Sequence, residues 1–137
     1  MMKSVFVALT MVLASLAIQP ANAQGAQGPP EWMKATFPPD ALPAAWEEFK
    51  AINNPHGALD SKTKELIGLA VAAQIPCQYC VYGHTAMAKK AGATDAQIKE
   101  AIAAAALTRK WSTVMNGTNY DYAKFKQEVD ASSVPSQ

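Results

Sequence analysis

Residues 66–75, LIGLAVAAQI, carry one polar side chain, Gln74, and the run is closed by Pro76. Asp60 or Ser61, six or five residues before Leu66, is a ready N-cap, so LDSKTKELIGLAVAAQI reads as one helix. A helix that is apolar nearly all round is buried on most faces. Ile75 precedes proline and is pushed out of helical geometry, which ends the helix there. The chain must therefore supply other helices to cover this one. Glu65 stands at the edge of the apolar run, beside the small Gly68, and its carboxylate is expected to point into a protein-lined space.

The remaining segments supply them. DALPAAWEEFKAIN reads as an earlier helix, with Asp40 as cap, Pro43 in the opening turn, and Leu42, Trp46 and Phe49 on one stripe. It ends in the turn NNPHG, where His56 is expected to be a solvated loop residue. Proline also opens helices well, so Pro76 is expected to start one through CQYCVYGHTAMAKKAG. Gly92 is its stop, and Lys89 and Lys90 in its last turn suit the helix dipole. Thr94 and Gln97 form a capping box for a long helix that Asn116-Gly117 breaks, and a last helix is expected from about Tyr120 to Val129. No stretch shows the period-two alternation of a strand. The expected fold is all-α, about five helices around a short central hairpin. Many inward alanines allow close helix approach, and apolar faces this wide predict a homo-oligomer.

The first residues stand apart. Lys3, the apolar run Val5–Ile18 and the small residues of Ala21-Asn22-Ala23 form a secretory leader over 1–23, cut after Ala23. The run falls short of the ~20 residues a bilayer span needs. Export, periplasmic or secreted, is the expectation. Residues 24–39 hold four prolines without apolar periodicity and read as an irregular arm, with Trp32, Met33 and Phe37 to pin it. Residues 40–131 make one helical domain and 132–137 a loose tail. Losing Lys3 takes the formal net charge from +1 to neutral, so nothing points to nucleic acid, and no membrane contact is expected after cleavage.

The chain has two cysteines, in CQYCVYGH at 77–84. On a helix Cys77, Cys80 and His84 line one stripe, and Cys80 and His84 are one turn apart. An imidazole there can take a thiol proton, and only the thiolate attacks. Cys77, directly after Pro76, would lie in the first turn, where unpaired N–H groups stabilise negative sulfur. The helix-end argument thus favours Cys77 as nucleophile and the imidazole favours Cys80. Two such thiols are a redox couple, and outside the cytoplasm they can be held oxidised. As a staple the pair is poor, because the ring it closes is short. Covalent haem attachment needs histidine directly after the second cysteine, and Val81 stands there. Zinc could use Cys77, Cys80, His84 and Glu65 or His56, but structural zinc sites usually draw on two separate ligand pairs.

From about Gly57 to Gly117 the string ALDSKTKELIGLAVAAQIPCQYCVYGHTAMAKKAGATDAQIKEAI resembles the carboxymuconolactone decarboxylase and AhpD-like alkylhydroperoxidase superfamily. Glu65, twelve residues before Cys77, matches its E…CxxCxxxH signature. The resemblance implies an AhpD-like helical domain with the CxxC at the N-terminus of a central helix, trimers or hexamers, and a peroxidase that uses no haem, metal or flavin cofactor. It implies that Cys80 attacks the peroxide, that Cys77 condenses with it to a disulfide, and that Glu65 and His84 relay the proton. A thiol reductant must then reopen the disulfide; the sequence names none. Tyr79 departs from the pattern, since well-described peroxidases of the family carry histidine there, and a phenol is a poor base at neutral pH. Lactone decarboxylation is not expected, because that branch usually lacks the cysteine pair. The alternatives are a dithiol oxidoreductase acting on other exported proteins, or a non-enzymatic metal-binding or interaction module.

Overall fold

The computed structural model describes residues 28–132, and all regular structure among them is helical. The expected leader, the start of the expected arm and residues 133–137 lie outside the described residues. Six helices are described: α1 Glu31–Thr36, α2 Leu42–Ile52, α3 Ser61–Gln74, α4 Gln78–Lys90, α5 Asp95–Gly117 and α6 Tyr122–Ala131. None is long and apolar enough to cross a membrane. The described residues fall into two compact units, one ending at Pro43 and the other beginning at Ala44.

In the first unit α1 occupies part of the stretch read as an irregular arm. Pro30 is its N-cap with φ −65°, Glu31 follows in the first turn, and Lys34 bonds Glu31 at 2.7 Å. Phe37, which precedes Pro38, leaves helical geometry and ends it. Met33 is buried, while Trp32 and Phe37 are exposed.

The second unit is built on α3, α4 and α5. Asp60 caps α3, its carboxylate accepting from the Thr63 backbone N–H at 2.7 Å. The link between α3 and α4 is so short that residues equally distant from Pro76 along the two helices face one another, as Gly68 and His84 do. Gly92, at φ +86°, turns the chain after α4; this left-handed conformation favours glycine. The capping box of α5 is complete: Gln97 N–H donates to Thr94 Oγ1 at 3.1 Å, and Thr94 N–H to Gln97 Oε1 at 3.0 Å. α5 packs along α3, and Arg109 reaches the end of α3, donating to Gln74 Oε1 at 2.8 Å and to the Gln74 carbonyl at 3.2 Å. Asp121 caps α6, which begins at Tyr122, two residues after the expected start, and the Tyr120 hydroxyl donates to Glu128 at 2.7 Å.

Burial departs from expectation. Leu69 and Ala72 are the buried residues of α3, Ala88 that of α4 and Ile98 that of α5, and α3 packs against both other helices. The other side of α3 is open in a single chain, with Val71 54% and Ile75 61% exposed. Two neighbouring helices cover one stripe of a helix, not its whole circumference, so the apolar residues at 67, 71 and 75 are left outside.

Candidate functional site

Pro76 does not open α4. It belongs to the turn that closes α3, where the Cys77 N–H donates to the Ala72 carbonyl at 3.1 Å. Cys77 takes the extended geometry of an N-cap, φ −91° and ψ 98°, and the helix proper begins at Gln78. Its Sγ accepts from the Cys80 backbone N–H at 3.2 Å, using one of the donors that every helix start leaves unpaired. Cys77 therefore stands at the cap and not within the first turn. Cys77 and Cys80 are joined, with S–S 2.11 Å and Cα–Cα 5.3 Å.

Across the hairpin, His84 Nδ1 lies 2.7 Å from Glu65 Oε2. The Glu65 side chain is 13% exposed and that of His84 is 38% exposed. With Glu65 ionised, the hydrogen bond places the ring proton on Nδ1 and leaves the Nε2 lone pair available as a base. Cys80 precedes His84 by four residues on α4, so the two side chains leave the same face of the helix. The structure thus joins Glu65 to His84 through space and Cys77 to Cys80 through a bond, and helical register associates the pairs.

From Leu66 to Ala88 there is no Asp, Glu, Lys or Arg, so the tip of the hairpin brings no fixed charge of its own. Tyr79, between the two cysteines in sequence, and Tyr82, two residues after Cys80, are 81% and 79% exposed. A shallow groove is lined by Ala73, Pro76, Gln78, Val81, Tyr82 and Thr85, among them sequence neighbours of both cysteines. His56 is exposed on its loop, away from any described cluster. Among the described residues, no three His, Cys, Asp or Glu side chains are arranged to hold a metal ion. Sequence reasoning did not find the clamp of Arg109 on Gln74, because nothing in either residue's local pattern marks a contact between separate helices.

The chain belongs to the carboxymuconolactone decarboxylase family, whose sequence pattern matches residues 40–120. A protein of Paracoccus denitrificans, uncharacterized protein 4 in the cox locus, is 51% identical over 53 residues, covering 39% of this chain and 48% of the relative. An uncharacterized protein of Cupriavidus necator is 38% identical over 66 residues, covering 46% of this chain and 58% of the relative. The chain thus spans about half the length of the curated relatives it matches. No solved structure matches it.

Proposed function

We propose that this protein is an exported, homo-oligomeric thiol peroxidase that reduces hydrogen peroxide or small organic hydroperoxides. The observation that carries the reading is the Glu65–His84 hydrogen bond, set one helical turn from a cysteine that is paired with Cys77 in a disulfide. In the reduced protein, His84 Nε2 takes the Cys80 thiol proton. The thiolate attacks one peroxide oxygen, the O–O bond breaks, and the leaving oxygen departs as alcohol or water with the proton held on His84. Cys80 is then a sulfenic acid. Cys77 sulfur attacks Cys80 sulfur, water leaves with the Cys77 proton, and the disulfide forms. An external thiol reductant supplies two electrons and two protons to reopen it. The exposed apolar stripes support assembly of copies, and the leader at 1–23 supports export.

Intact mass of the reduced protein after one equivalent of peroxide tests this. The wild type is expected to lose two hydrogen atoms, and Cys77→Ser, which cannot close the disulfide, to gain one oxygen. Unchanged wild-type mass with peroxide persisting would sink the reading.

A second reading, disulfide exchange with other exported proteins, is favoured by the exposure of Tyr79 where peroxidases of the family carry histidine. It predicts rapid exchange with a dithiol substrate and thiol loss at the same rate with and without peroxide.

A further inference from the structure

The face of α3 opposite His84 carries a glycine. A Cβ built on Gly68 would lie 2.4 Å from His84 Cε1, 2.6 Å from Nδ1 and 2.7 Å from Nε2, with all three contacts on the imidazole itself. Two other described helical glycines, Gly83 and Gly117, would meet nothing within 4 Å. A glycine in the middle of a helix is disfavoured against alanine, because it loses more backbone freedom on folding. At position 68 that cost accompanies a ring laid directly on the helix backbone. Gly68 follows Glu65 by three residues on the same face of α3, so the ring on Gly68 has its Nδ1 at the Glu65 carboxylate.

We propose that Gly68 is a positioning residue for the peroxidase site. Its missing side chain lets the His84 imidazole lie against α3, which holds Nδ1 on Glu65 and leaves Nε2 as the nitrogen available to the Cys80 thiol. This rests on the thiol-peroxidase reading for its chemical consequence, although the placement of the ring does not. A methyl group at 68 meets the far end of a side chain that can swing aside, not backbone. The expected response is therefore displacement of the ring with the helix intact.

The test is Gly68→Ala in the full-length reduced protein, read in two ways. The first is the imidazole 15N spectrum near pH 8, in which His56→Gln identifies the His84 signals. Wild-type His84 is expected to hold the Nδ1–H tautomer, and Gly68→Ala to give a mixture of the two tautomers. The second is the rate of iodoacetamide alkylation of the thiols, expected to fall by about tenfold or more in Gly68→Ala, and to fall no further when Gly68→Ala is added to His84→Ala. Thermal unfolding completes the cycle. Alanine at 68 should raise the midpoint in the His84→Ala background and raise it less, or lower it, when the ring is present. An unchanged tautomer with wild-type alkylation in Gly68→Ala overturns the proposal, and so does an equal fall in midpoint with and without His84, which would make Gly68 a packing residue only. If the tautomer is fixed in the wild type and released in Gly68→Ala while neither protein consumes peroxide, the positioning role stands and the peroxidase reading fails.

Discussion

Glu65 gains its influence from partial burial. A carboxylate with little water around it interacts strongly with the imidazole 2.7 Å away, and an amide in the same place keeps a hydrogen-bond acceptor without the charge. Glu65→Gln is expected to slow peroxide-driven disulfide formation by about tenfold to a hundredfold, and Glu65→Ala to slow it further, toward the rate of His84→Ala. Stopped-flow peroxide consumption, with unfolding midpoints as a control for folding, checks this ordering; a fully active Glu65→Ala would remove the carboxylate from the relay. Leu69, next along α3, is wholly buried. Leu69→Ala is expected to cost about 2–5 kcal/mol in urea unfolding, through lost transfer energy and the void it leaves.

The helices are set by their ends. Asp60 starts α3, and the Thr63 backbone N–H, followed by the Thr63 side chain, holds its carboxyl below the ordinary value of 3.8. The folded chain therefore gives up that proton more readily than the unfolded chain. The stability contributed by the cap is complete above about 3.8 and is lost as pH falls through the lower folded-state value. Asp60→Asn keeps a cap that does not titrate, so the acid limb of its thermal midpoint, followed from about pH 6 to about pH 2, should be shallower than that of the wild type. Equal acid limbs would refute the assignment. Thr94→Ala, which opens the capping box of α5, is expected to cost about 1 kcal/mol by the same denaturation measurement. Caps of this kind are legible in sequence because cap and partner lie within three residues, as at Asp60 and Thr94. The start of α4 was not. Pro76 carries a strong local preference for a first turn, but closure of the preceding helix through Cys77 and Ala72 claims it, and two adjoining helix ends compete for the same residues. α1 was missed because a helix this short has no periodicity to read and is marked mainly by the prolines flanking it.

At the scale of the molecule, the all-helical class followed from the absence of alternating patterns, Cys77, Cys80 and His84 could be chosen from spacing, and Glu65 joined them through the family resemblance. Which faces stay open could not, since an apolar run has the same composition whether its cover comes from the same chain or from another copy. Ile67, Val71 and Ile75 on α3 and Leu107, Trp111 and Val114 on α5 are all exposed in the single chain. Under the proposed assembly these stripes are the contact surfaces. Light scattering after size exclusion is expected to give a trimer or hexamer, and Val71→Glu combined with Leu107→Glu to give smaller species that unfold at lower temperature. A monomeric wild type at micromolar concentration would refute it. The uncharged stretch of the hairpin has a practical consequence as well. Trypsin, which cuts after lysine and arginine, finds no site between Lys64 and Lys89, so residues 65–89 leave the digest as one peptide carrying Glu65, both cysteines and His84. The oxidation state of this protein in a cell extract can thus be read from the mass of a single fragment, without isolating the protein.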